Sequence, residues 1–196
     1  MERTAALLII DVQNDFCPGG ALAVPDGDAV VPVLNRAIER FRKEGLPVFA
    51  SRDWHPAETR HFAAFGGRWP SHCVQDTNGA AFHPRLRLPA DTVIVSKGMD
   101  PDRDDYAALH GRTSNGTPLP ELLRARGVRH LYLGGLATDY CVTETALEAL
   151  RQGFAVTVLS DGVRGVELQP GDSERALTTM AAAGARLTTS VEALAG

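Results

Sequence analysis

Short unbroken apolar runs alternate along the chain with stretches in which apolar positions return every three or four residues. The first run, Ala5–Ile10, has no polar interruption, the pattern of a strand covered on both faces. Similar runs at 47–51, 92–96, 131–134 and 155–160 predict four more strands, and a short one is predicted at 186–189. Between them, Val30, Val33, Leu34, Ala37, Ile38 and Phe41 fall at helical spacing, with Gly45 as a stop. Thr117-Pro118 reads as an N-cap and first-turn pair for a helix carrying Leu119, Leu122 and Leu123, ended by Gly127. Val142, Ala146, Ala149 and Leu150 predict a third helix ending at Gly153, and Asp172 is the expected cap of a fourth running to Ala183. Strands alternating with helices imply parallel β-α-β units, hence an α/β fold with a doubly wound parallel sheet in one domain over 1–196.

One segment breaks the rhythm. Residues 52–91 show no sustained period, contain Gly66-Gly67, and hold four of the six histidines, so a functional loop is expected there.

Composition narrows the class of function. A formal charge of −4, with no Lys/Arg cluster interleaved with aromatics, argues against a nucleic-acid partner. Three cysteines, Cys17, Cys73 and Cys141, form no C-x-x-C pair and no even set, which points to free thiols and a reducing compartment. The first apolar run is too short for a secretory core or a membrane span, so a cytoplasmic protein without a membrane partner is expected. A homo-oligomer is left open.

In an open α/β sheet, ligands bind beyond the carboxyl ends of the strands. Asp11 follows the first strand, Asp53 and His55 the second and Lys97 the third, while the fourth runs into the turn before Cys141. A thiol in the first turn of a helix meets the positive dipole end and unpaired N–H groups, which stabilise thiolate and can receive an oxyanion. The plain alternative is a buried structural cysteine. Asp11 is either a loop cap or a carboxylate of raised proton affinity for acid–base work. Lys97 either reaches solvent along its stem or, beside Asp11 and Cys141, holds the carboxylate and favours thiolate.

Asp53-Trp54-His55, with His61 and His72, supplies carboxylate and imidazole donors for one divalent transition metal, since residues i and i+2 of an extended segment point the same way. Zinc, iron(II) and manganese all accept such a set; a chance grouping of exposed histidines is the alternative. His83, His110 and His130 lack an acidic companion at ligand spacing and read as structural. The chain has no G-x-S-x-G elbow, P-loop, H-E-x-x-H or G-x-G-x-x-G after the first strand, which removes the main support for serine hydrolase, nucleotidase and dinucleotide-enzyme readings.

Taken in order, IDVQNDFCPGGALAV at 10–24, SRDWHP at 51–56, WPSHCVQ at 69–75, VSKGMDPDRDDY at 95–106 and GGLATDYCV at 134–142 resemble the nicotinamidase/pyrazinamidase branch of the isochorismatase-like cysteine hydrolases. The resemblance implies a six-stranded parallel sheet flanked by helices and a catalytic triad of Asp11, Lys97 and Cys141. It implies metal ligands Asp53, His55 and His72, with His61 matching a histidine that binds the metal in some members only. Phe16 and Trp69 match walls that sandwich an aromatic ring, and the Leu136–Ala137 bond matches a cis peptide that shapes an oxyanion hole. Tyr106 and Tyr140 stand near the same pocket, but the sequence departs there: many relatives have Tyr-Ser at 106–107 and some have His at 140. The activity implied is hydrolysis of nicotinamide to nicotinate and ammonia through a thioester, with zinc ahead of iron or manganese as the cofactor. The rivals are an amidase for another small amide such as an N-carbamoyl compound, a non-catalytic binding module on the same fold, and a thiol-redox protein.

Overall fold

A computed structural model describes residues 2–195. Its strands are β1 (Ala5–Ile10), β2 (Val48–Asp53), β3 (Val93–Lys97), β4 (His130–Leu136), β5 (Ala155–Arg164) and β6 (Arg186–Thr188). Its α-helices are α1 (Val30–Lys43), α2 (Leu119–Ala125), α3 (Thr143–Arg151), α4 (Asp172–Ala182) and α5 (Ser190–Leu194). The strands form one sheet in the order β3-β2-β1-β4-β5-β6, and every neighbouring pair is parallel. The order reverses between β1 and β4, so the crevice for a ligand opens at their carboxyl ends.

β1 is buried at every position because helices cover both sides of it. Ala6, Leu8 and Ile10 pack with Leu123 of α2, Ala146 and Ala149 of α3 and Met180 of α4. Leu7 and Ile9 face the opposite way, onto Leu34, Ile38 and Phe41 of α1. Truncating a central residue such as Leu8 to Ala would cost about 2–5 kcal/mol. Register then aligns the strand ends: Ile10 lies opposite Ser51 on one side and Gly135 on the other, and Asp53 lies opposite Lys97.

Several helix boundaries differ from the sequence pattern. Pro118, not Thr117, occupies the N-cap of α2; Thr117 Oγ1 turns instead to Asn115 Oδ1 at 3.0 Å. Gly171 in a left-handed conformation starts α4, and Asp172 is its first helical residue, accepting from Gln169 N at 2.8 Å. β6 stops at Thr188 because Thr189 caps an additional helix, α5, through a capping box with Glu192. The 52–91 stretch is irregular but anchored, with single β-bridges joining His55 to Val74, Phe62 to Trp69 and Gln13 to Phe82. No helix among the described residues is long and apolar enough to cross a membrane.

Candidate active site

The residue after β1, Asp11, has φ 49°, a left-handed conformation that aspartate tolerates better than most residues. Its carboxylate is wholly buried, with Oδ1 accepting from Ser51 Oγ at 2.7 Å and Oδ2 lying 2.9 Å from Lys97 Nζ. Lys97 ends β3, is 1% exposed, and also pairs with Asp53 Oδ1. Its Nζ lies 3.4 Å from Cys141 Sγ. Two carboxylates, one ammonium and one thiol therefore lie together with almost no exposure to solvent.

Burial and mutual charge set the protonation of this cluster. Burial raises the Asp11 pKa; Lys97 pulls against it and Asp53 pushes with it. Burial acts the same way on Asp53, yet Lys97 and His55 overcome it and hold that carboxyl below the usual range. Burial would strip Lys97 of its proton, but Asp11 and Asp53 keep the ammonium well above its ordinary value. Burial also pushes the Cys141 thiol well up, with Lys97 opposing. Loss of solvation outweighs the lysine at residue 141. Of the two carboxylates, Asp11 has the greater proton affinity.

Cys141 sits on a single widened helical turn, Thr138–Val142, that leads into α3, rather than in the first turn of an α-helix. The peptide Leu136–Ala137 before it is cis. Val142 N donates to Ala137 O at 3.0 Å and Thr143 Oγ1 to Thr138 O at 2.6 Å, so the turn is closed from both ends.

Beside this cluster, His55, His61 and His72 place ring nitrogens within 4.8 Å of one another. His55 Nδ1 meets Gly98 O at 2.9 Å, and His72 Nδ1 meets Pro70 O at 2.8 Å. A carbonyl only accepts, so both Nδ1 atoms carry the proton and both Nε2 atoms are free donors of a lone pair. Asp104 does the same for His61, with Oδ1 at 2.5 Å from Nδ1. Burial pushes the His72 pKa down to about 4 and lowers that of His61, leaving neutral imidazoles. His55 Nε2 is buried without a hydrogen-bond partner, 3.7 Å from Asp53 Oδ2. An orphaned lone pair, two further neutral imidazoles and an adjacent carboxylate oxygen fit a divalent metal ion. Gly98 is required here: a Cβ would lie 2.5 Å from His55 Cε1, and φ is +68°.

A small pocket lies over Cys141. The aromatic rings of Phe16, Trp69, Tyr106 and Tyr140 line it, together with Ala137, Cys141, His61 and His72. Trp69 Nε1 donates to Tyr106 Oη at 3.0 Å and packs edge-on to Tyr140 at 5.0 Å, which fixes the two rings relative to each other.

Residues 5–192 match the profile of the isochorismatase domain. The chain belongs to the isochorismatase family. It is 46% identical to the nicotinamidase of Escherichia coli (strain K12), over 94% of each chain. It is 42% identical to the nicotinamidase/pyrazinamidase of Mycobacterium tuberculosis (strain H37Rv), over 95% of this chain and 96% of the relative. Among solved structures, the pyrazinamidase of Pyrococcus horikoshii in complex with zinc superposes with a TM-score of 0.86 at 45% identity, covering 95% and 99% of the two chains.

Within this isochorismatase-family frame, the fold brings Asp11, Lys97 and Cys141 into one buried cluster, and Asp53 joins it to the three histidines. Phe16, Trp69, Tyr106, Ala137 and Tyr140 all reach the pocket, but the Leu136 side chain does not; it is buried in the core beside α1. His110 pairs with Asp105 at the surface, and His130 stacks on Tyr132, away from the metal-type cluster. The pattern reading missed Leu22 and Val166 as pocket walls, Ser51 as the donor to Asp11, and Asp104 as the partner of His61. It also missed Gln13, whose side chain holds the backbone of Asp53.

Proposed function

We propose that the chain is a metal-dependent cysteine amidase that hydrolyses nicotinamide to nicotinate and ammonia. The observation that carries this is Cys141 Sγ in a small aromatic pocket, 3.4 Å from the Lys97 ammonium and beside the buried carboxyl of Asp11. The names of the relatives support the substrate class, and the flat walls favour a heteroaromatic amide over an N-carbamoyl compound.

In this reading the pyridine ring lies between Phe16 and Trp69, with the carboxamide carbon over Cys141. Asp11 takes the thiol proton as sulfur attacks, which suits the carboxylate of higher proton affinity. Lys97 stays charged throughout and stabilises the sulfur anion as it develops. Backbone N–H groups of Ala137 and Cys141 receive the oxyanion. Asp11 then hands its proton to the departing ammonia, leaving a thioester. Attack of water on the thioester releases nicotinate and returns the proton to sulfur through Asp11.

Asp53, His55 and His72 would hold the metal, with His61 as a further donor. When bound, the ion supplies a Lewis acid next to the pocket; zinc is the first candidate, then iron or manganese.

Ammonia release from nicotinamide, pyrazinamide and N-carbamoyl amino acids tests the reading. The expected order places the two heteroaromatic amides first, with Cys141→Ala inactive on all. Wild-type rates from Cys141→Ala would sink the nucleophile assignment.

A further inference from the structure

We propose that Asp139 is a positioning residue that fastens the segment following β5 to the Cys141 turn, and thereby sets the Val166 wall of the substrate pocket. The inference rests on the amidase reading above and adds a determinant of substrate fit to it. Asp139 Oδ1 accepts from Val166 N, and Oδ2 from Glu167 N, both at 2.9 Å. One carboxylate thus holds two consecutive peptide N–H groups from a segment 27 positions away. Bonds to an ionised acceptor are about twice as strong as neutral ones. These two contacts orient the carboxylate.

The clasped segment is held in a conformation that its own sequence disfavours. Glu167 has φ 55°, a left-handed backbone that L residues disfavour. The fold holds it there from both sides. Asp139 binds the Glu167 N–H, while the Glu167 carboxylate accepts from Gly171 N at 2.9 Å and Ser173 N at 2.8 Å at the start of α4. Gly165 admits the close approach, since a Cβ there would lie 1.9 Å from Ser173 Oγ and 3.2 Å from Asp139 Oδ1. Between these fixed points Val166 has little freedom, and its side chain lines the pocket together with Cys141 and Phe16. Because Asp139 is only two residues from Cys141, the wall and the nucleophile are referenced to the same turn. A substrate ring pressed against Val166 is therefore registered against sulfur.

The test compares wild type with Asp139→Ala, Asp139→Asn, Val166→Ala and the Asp139→Ala/Val166→Ala double variant. Asp139→Ala should raise KM for nicotinamide roughly tenfold while kcat changes much less, the split expected when uniform binding is lost. Asp139→Asn, which turns one N–H donor against another, should fall between. Val166→Ala should raise KM similarly, and the double variant should be no worse than Val166→Ala alone, because both changes remove one wall. Asp139→Ala and Val166→Ala should each gain relative activity on a ring-methylated nicotinamide. Amide hydrogen exchange at Val166 and Glu167 should quicken in Asp139→Ala and stay unchanged in Val166→Ala. An Asp139→Ala protein with lower Tm but unaltered KM, or with exchange at those two amides unaltered, overturns the proposal. A wild type inactive on nicotinamide overturns the amidase reading instead, and the exchange measurement still decides the clasp.

Discussion

The side-chain amide of Gln13 grips the backbone of Asp53 at two points: Oε1 accepts Asp53 N–H and Nε2 donates to Asp53 O, each at 2.8 Å. The same Nε2 reaches Ala80 O at 2.9 Å, and Gln13 is fully buried. The end of β1 is thereby tied both to the end of β2 and to the histidine-bearing loop. Asp11 and Asp53 can then face one lysine without either drifting. Replacing Gln13 by Ala would strand two buried backbone groups on Asp53 and one on Ala80. A loss of about 3 kcal/mol in urea unfolding is expected, since each orphaned group costs roughly 1–3 kcal/mol before water repairs part of it. A loss below 0.5 kcal/mol, on the scale of an ordinary surface change, would show that the bridge is dispensable.

Lys97 pairs with two buried carboxylates, Asp11 and Asp53. Lys97→Met keeps much of the volume and removes the charge. Stability should fall by about 3–5 kcal/mol, the range for breaking a buried ion pair from one side, and ammonia release should vanish. Retained activity at near-normal stability would refute the proposed charge arrangement.

Metal removal should be reversible and visible in stability. Dialysis against a chelator is expected to lower Tm and abolish ammonia release, and added zinc, iron(II) or manganese should restore both to different degrees. Gly98→Ala should mimic the stripped protein, because the new methyl occupies the His55 ring. Elemental analysis showing full metal content in Gly98→Ala would contradict the assigned role of His55.

His130 supplies a pH signal remote from the pocket. It is half-buried, stacks on Tyr132 at 4.5 Å, and lies 2.9 Å from Thr157 Oγ1 through Nε2. Burial lowers its pKa below the ordinary 6.5, with Glu2 opposing. The unfolded chain then binds more protons than the folded one just below pH 6.5, so stability rises with pH through that window. The contribution is complete above 6.5 and is lost as pH falls toward the folded value. In metal-loaded protein, the slope of Tm against pH between about 7 and 5 should be shallower in His130→Gln than in wild type. Equal slopes would assign the pH dependence elsewhere.

The parts legible along the chain were those governed by local pattern. Six strands follow from apolar runs, and Asp11, Asp53 and Lys97 could be placed because they stand at or just beyond a strand end. Helix boundaries were less legible: the N-caps of α2 and α4 were misplaced by one residue, and α5 is too short to show a period. Leu22 and Val166 carried no local sign of pocket duty, since an apolar residue in a loop looks the same whether it lines a cavity or packs beneath the loop.

By itself, the order of residues determined the strand and helix periods, the doubly wound class, and which reactive side chains would gather at one edge of the sheet, because hydrophobic spacing and strand direction are local properties. Only the tertiary structure decided that burial raises the Cys141 pKa against the pull of Lys97, that Asp11 and not Asp53 has the higher proton affinity, and that Asp104 orients His61. These depend on desolvation and on charges brought within a few ångströms from distant parts of the chain, and neither quantity exists until the sheet has closed over them.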